Sequence, residues 1–174
     1  MKSLTCYIKE KLVIKKRKYN YFPQTKKELQ TIIMQRIEQE GNNVDLNDID
    51  VSDITDMSHL FYGTDFNGDV SSWNVSNVTN MRSMFFGCKE FNCDLSEWNV
   101  SKVKDMPFMF YNCAEFNQDI SKWDVSNVTD ISNMFAECKS FNQDISNWDV
   151  SSVKDNRYIF KNCAIEEKYK PKFK

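Results

Sequence analysis

Side chains able to do chemistry are few in this sequence, and their spacing is regular. His59 is the only histidine, and equivalent positions further along hold Ser83, Phe108, Asn133 and Tyr158. A position that accepts such different types reads as surface rather than as a general base, which needs a fixed partner beside it. No Gly-rich phosphate loop, His-Glu-x-x-His or Gly-x-Ser-x-Gly accompanies it. The sequence therefore predicts no enzyme activity and no catalytic residue. Four of the six cysteines, Cys88, Cys113, Cys138 and Cys163, recur every 25 residues beside Met and Phe. Structural zinc prefers ligand pairs a few residues apart, whereas small thiols are common core residues. These four are expected as a reduced internal ladder, with a disulfide between coils or a metal as alternatives. Cys93 stands where Gly68, Gln118 and Gln143 stand in other copies and is expected to be exposed and reactive. Asp69, Asp94, Asp119 and Asp144 also recur. Calcium-binding rolls of stacked Asp are glycine-rich, and this chain has 4 Gly; the Asp column is expected to cap backbone N–H groups in turns. No metal and no cofactor is expected.

The same period runs through the apolar residues and identifies the elements that carry these side chains. Phe66, Phe91, Phe116 and Phe141 form one column, and Trp73, Trp98, Trp123 and Trp148 another. Val75, Val100, Val125 and Val150 form a third, and Phe85, Phe110, Phe135 and Phe160 a fourth. Residues 42–65 are a 24-residue degenerate copy. A fixed period of this size means a repeat array, in which no unit buries its apolar face alone. Within a unit, the alternation in Trp123-Asp124-Val125 predicts a short strand. Thr129-Asp130 then reads as an N-cap, and Ile131, Met134, Phe135 and Cys138 fall at helical spacing. The reading is an α/β solenoid of about five coils, each a short parallel strand plus a short helix. Helices pack ~8–10 Å apart and strands ~4.8 Å, so the stack should curve with its helices on the convex side.

Four segments follow: a basic N-terminal arm over residues 1–24, a capping helix over 25–41, the repeat body over 42–165 and a charged tail over 166–174. Thr25-Lys-Lys-Glu28 is a capping box, Leu29, Ile32, Ile33 and Ile37 an apolar stripe, and Gly41 a stop. The chain has 174 residues and a net charge of −2. Residues 1–41 carry +6 and residues 42–165 carry −10. An acidic body excludes a nucleic-acid groove along it, while the arm's Lys15-Lys16-Arg17-Lys18 can meet an acidic surface. No apolar run approaches the ~18–20 residues of a membrane span. The first residues lack the continuous apolar stretch of a secretory signal, which gives a cytoplasmic or intracellular reading, with the cell surface or a virion as alternatives.

Residues 116–130, Phe-Asn-Gln-Asp-Ile-Ser-Lys-Trp-Asp-Val-Ser-Asn-Val-Thr-Asp, with the following Met-Phe, resemble the BspA-type leucine-rich repeat proteins of the DUF285 group. Asp45-Leu-Asn-Asp-Ile-Asp-Val-Ser-Asp-Ile-Thr-Asp-Met57 is similar to their usual first coil. The resemblance covers about residues 22–165 and implies a right-handed, leucine-rich-repeat-like fold and a non-enzymatic binding module, often a surface protein. Residues 1–10 are similar to the capsid-targeting leaders of tailed-phage internal head proteins, which implies a packaged structural protein as an alternative.

Constant columns build a coil, so a partner should meet variable ones. With Met81 inward, positions 83, 86 and 87 of the expected helix point outward. These columns bring Phe86, Phe108, Tyr111 and Tyr158 forward as binding residues, on the criterion that exposed aromatic clusters mark interaction sites. Docking of the arm over them is the alternative. The most direct functional expectation is a protein–protein interaction scaffold with an unidentified protein partner. An exported adhesin is a further alternative.

Overall fold

The computed structural model describes residues 19–173. The basic stretch of the arm, the leader-like residues 1–10 and Cys6 lie outside the described residues. Two helical elements occur among the described residues: α1, Lys26–Glu40, and a 3-10 turn, Glu167–Tyr169. No sheet forms among the described residues, where parallel pairing is confined to isolated bridges. The expected α/β solenoid of strand-plus-helix coils is therefore incorrect, and the curvature argued from it loses its basis. The 25-residue units are present, but each is a chain of tight turns.

The reason is visible in the backbone of the expected helix. From Met106 to Cys113 the N–H groups divide by parity. Met106, Phe108, Phe110 and Asn112 donate to the carbonyls of Asp130, Ser132, Met134 and Ala136 in the next unit. Met109, Tyr111 and Cys113 donate three residues back, to Met106, Phe108 and Phe110. An α-helix needs every N–H for the residue four back, and here half of them are used between units. Two residues per unit adopt the left-handed conformation that ends any helix. His59, Ser83, Phe108, Asn133 and Tyr158 fill one such column, with φ between 53° and 61°. Gly63, Gly87, Asn112, Glu137 and Asn162 fill the other. Glycine and asparagine suit this region.

The expected strand fails for a related reason. Trp73 donates to Val70 and Val78 to Val75, so the apolar alternation spans two successive turns. Each turn is bracketed by a side chain that accepts from the residue two on: in one unit Ser121 donates to Asp119, Ser126 to Asp124 and Ser132 to Asp130. Such short polar side chains stabilise turns against strands. The Asp69, Asp94, Asp119 and Asp144 column has this turn-capping role throughout.

Between units the stack is held by ladders. The bridges run Asp56, Asn80, Asp105, Asp130, Asp155. Each Asn side chain of the 67, 92, 117 column accepts from the backbone N–H of the next copy. Trp73, Trp98, Trp123 and Trp148 are buried and donate from Nε1 to Leu46, Val70, Leu95 and Ile120 one unit back. Inside, Phe61, Phe85, Phe110, Phe135 and Phe160 stack with centroids 5.3–6.0 Å apart. Phe91 and Phe116 stack against Phe85 and Phe110 at 4.0 and 4.1 Å. Gly68 is required where it stands: a Cβ there would meet the Val44 carbonyl oxygen at 2.1 Å.

Both ends are covered in part. Thr25 caps α1 by accepting from the Glu28 N–H, and Glu28 accepts in turn from the Gln24 N–H. Leu29 and Ile33 are fully buried, and Arg36 ties the helix to Asp48 and the Asp45 carbonyl at 2.9 Å each. The C-terminal tail turns back, so that Ile145 donates to Tyr169 and the Lys170 ammonium lies 5.7 Å from the Phe160 ring.

Candidate binding surface

The sequence-derived binding residues sit on turns, and their positions follow from the parity of the backbone bonds. Phe86 and Tyr111 end turns that start at Ser83 and Phe108. The column immediately before each of them faces inward as the buried Phe85 and Phe110. Phe86 and Tyr111 stack at 4.7 Å with their planes 8° apart. Phe108 leans on both, at 6.4 Å from Phe86 and 5.9 Å from Tyr111. These three are brought together, each half-buried. Tyr158 is not part of the stack: the fourth copy interposes Asn133 and Ala136. Tyr158 is 66% exposed, with the Lys161 ammonium 5.8 Å from its ring. It lines a shallow cleft with Phe108, Arg82, Asp130, Asp155 and Arg157.

Two residues of this surface were not among the expected binding residues, although His59 was expected at the surface. Tyr62 is 50% exposed and extends the stack, 4.6 Å from Phe86. His59 leans on Tyr62 at 5.5 Å. Both lie in the degenerate first copy; for Tyr62 the Tyr62, Phe86, Tyr111 column was the available signal, and for His59 the column it shares with Phe108. The outward position 83 was misjudged, since Ser83 is buried. Without helical geometry, a spacing of ~100° per residue does not apply.

The left-handed column sets a cost on this surface. A bulky aromatic with positive φ is an outlier, worth roughly 1–2 kcal/mol against the ordinary backbone region. Asn133 occupies the column at φ 56° with a side chain suited to it, while Phe108 and Tyr158 occupy it at 58° and 59°. Pro107 adds a local break. In other units the N–H at this position bonds the carboxylate or amide two residues back, as Arg157 does with Asp155. Pro107 has no N–H, and Asp105 beside it is exposed.

The titrating groups nearby are structural. His59 is held below its usual value, first by partial burial and then by Lys26 and Arg82. The Arg157 guanidinium and N–H hold the Asp155 carboxyl down at about 2. Cys88, Cys113 and Cys138 are buried free thiols that donate to the carbonyls of Phe61, Phe85 and Phe110 at 3.0–3.2 Å. Burial pushes the Cys88 thiol up to about 12. Cys93 is half-buried rather than exposed, and burial, with Asp69 and Asp94 nearby, raises it to about 12. The expectation of an exposed Cys93 is therefore corrected, and a thiol held protonated is a poorer nucleophile. Among the described residues no group of three or more His, Cys, Asp or Glu could hold a metal ion. No helix among them is long and apolar enough to cross a membrane.

The family described as "Mycoplasma protein of unknown function, DUF285" matches the chain over residues 29–126 and again over residues 94–170. No curated protein matches the chain, and no solved structure does.

Proposed function

The chain belongs to the DUF285 family, and on that premise we propose that it is a non-catalytic scaffold that recognises a protein partner through the aromatic surface of Tyr62, Phe86, Phe108 and Tyr111. The resemblance of its repeat to BspA-type binding proteins favours the same reading. The carrying observation is Phe108. A bulky ring occupies a left-handed position that the neighbouring copy fills with Asn133. A site that accepts a conformational cost at its surface is a candidate for function. The ring then lies against Phe86 and Tyr111, in a cluster of the type that dominates binding energy at interfaces. The units of Phe86, Phe108 and Tyr111 are bonded on both sides by neighbouring units, so this part of the surface is ordered before binding and little entropy is lost.

The test transplants the fourth copy into the third. Phe108→Asn with Tyr111→Ala installs the residues of Asn133 and Ala136 and suits the local backbone. Wild type and variant are used side by side as bait in lysate of the native source, with captured proteins identified by mass spectrometry. A partner retained by wild type and lost, at least tenfold, by the variant is the expected result. Equal capture by both removes the aromatic surface from the assignment.

A further inference from the structure

We propose that the last repeat unit takes an acidic peptide segment of a partner protein along its open edge, residues 154–162. At the junction just before it, Ile131, Asn133, Phe135 and Glu137 donate to the carbonyls of Asp155, Arg157, Ile159 and Lys161. The corresponding N–H groups of the last unit, on Asn156, Tyr158, Phe160 and Asn162, meet no acceptor among the described residues. The carbonyl that starts this edge is open too. Thr79, Lys104 and Thr129 each accept from the N–H of the next unit, whereas the Lys154 carbonyl accepts no bond among the described residues. The tail closes the other half of this end: Ile145 donates to Tyr169, Ala164 to Cys138 and the Glu166 N–H to the Asn142 side chain. It leaves the donor row uncovered, with Tyr158 and Asn162 exposed and Asn156 and Phe160 half-buried. A row of unpaired backbone donors is a template for an added segment whose own carbonyls supply the bonds. The internal junctions use alternate residues as acceptors, so the segment must turn alternate carbonyls to the edge. Asn156 fits that use. It stands in the column of Met57, Met81, Met106 and Ile131, all buried, and its side-chain amide has no hydrogen-bond partner among the described residues. A polar group ends that apolar column where a polar backbone would meet it.

Charge selects the occupant. Residues 154–173 hold six Lys and Arg against three Asp and Glu. The three acids are already matched, Asp155 with Arg157, Glu166 with Lys168 and Glu167 with Lys170. Lys154, Lys161 and Lys172 are exposed and have no carboxylate partner among the described residues. Lysines on an edge deter a second basic edge from pairing with it, which sets aside a second copy joined at this end. Residues 1–18 carry seven Lys and Arg against one Glu, so like charge also opposes the chain's own arm there. A segment rich in Asp and Glu meets both conditions, with main-chain carbonyls for the donors and carboxylates for the lysines, and complementary charge fixes its register. Lys170 lies 5.7 Å from the Phe160 ring and covers the end of the inner stack, so the contact is made by the backbone row and its flanks. Tyr158, 66% exposed, adds a ring of the type that anchors interfaces. The outer stack of Tyr62, Phe86 and Tyr111 stops at Ala136, one unit short of this edge, and takes no part in it.

The experiment selects phage displaying random peptides on the full chain, then adds the most enriched peptide to nitrogen-15-labelled protein and follows amide hydrogen exchange by NMR. The expected result is enrichment of Asp and Glu over the starting library. The amides of Asn156, Tyr158, Phe160 and Asn162 exchange fast in the free chain and slow by about tenfold or more in the complex, as newly bonded groups do. Lys154→Glu with Lys161→Glu weakens the peptide about tenfold or more and high salt weakens it for wild type, because the charges that hold it are reversed or screened. Lys154→Gln with Lys161→Gln removes the charge without reversing it and gives a smaller loss, which keeps the test intact should the double reversal misfold. Lys15→Glu with Lys16→Glu, in the arm, binds as wild type does. Circular dichroism identical to wild type checks each fold. Selected peptides without excess Asp and Glu overturn the proposal. So do acidic peptides that leave the four amides fast, or that bind the Lys154 and Lys161 variants as they bind wild type. Slow exchange at these amides in the free chain also overturns it: at every concentration it would assign the edge to the chain's own arm, and at high concentration alone to a second copy.

Discussion

The molecule carries two aromatic stacks that differ in one respect. The inner one, Phe61 through Phe160, holds the same residue in every unit and is buried apart from its last member. The outer one, Tyr62, Phe86 and Tyr111, has similar ring spacing but changes residue type and stops at Ala136. Stacking alone therefore does not mark a core. Constancy with burial identifies what the stack needs, and variation with exposure identifies what it can present. The outer stack also tolerates a strained neighbour, Phe108, which the inner one has no counterpart for.

The strongest way to break this contrast is to remove a ring from each. Phe110→Ala should cost about 3–5 kcal/mol, the usual range for an emptied aromatic core site. Phe86→Ala, half-exposed, should cost much less. Urea unfolding followed by tryptophan fluorescence measures both, and comparable losses would erase the distinction. Next in size, Trp123→Phe keeps most of the inner volume but leaves the Leu95 carbonyl without its 3.0 Å indole partner. The expected loss is about 1–3 kcal/mol, read from the same unfolding midpoints.

Acid sharpens the contrast from the side of the turns. Asp119 and Asp144 are held below the usual carboxylate value, 3.8, by Ser121 and Ser146, and Asp155 is lowered to about 2 by Arg157. A carboxylate with a lowered folded value adds stability that is complete above the unfolded value and disappears as pH falls through the folded one. The urea midpoint should therefore decline from about pH 4 towards pH 2. The inner columns contribute nothing to that decline, since their thiols stay protonated across it. The smallest effect belongs to Phe108→Asn with Tyr111→Ala. Relief of a left-handed aromatic, roughly 1–2 kcal/mol, offsets lost ring contacts of about 0.5–1.5 kcal/mol each. The melting temperature should move by only a few degrees, while the proposed role requires partner capture to fall at least tenfold.

Much of this was legible in the residues. The period, the buried Phe, Trp and Cys columns, the Asp turn caps and both ends of α1 follow from spacing and residue type. The interior of each unit did not. Ile131, Met134, Phe135 and Cys138 face inward at helical spacing, yet successive three-residue turns produce the same spacing. The distinguishing mark was the column of Gly63, Gly87, Asn112 and Asn162, whose types favour positive φ and interrupt a helix. For the candidate surface, three of the four expected residues converge because two columns adjoin. Tyr158 stands apart because the fourth copy has no aromatic at Asn133 or Ala136. Tyr62 was missed because its unit is one residue short.

The parity of the backbone bonds has a consequence for how such a chain changes over generations. Among the described residues, each unit bonds to the units beside it, the first also to α1 and residues 20–21, and no bond ties α1 to the tail. Recombination between misaligned copies of the gene would add or delete a unit in register, leaving both caps and every remaining junction intact. Copy number is then the easiest property of this protein to inherit in altered form, and with it the length of the surface it displays.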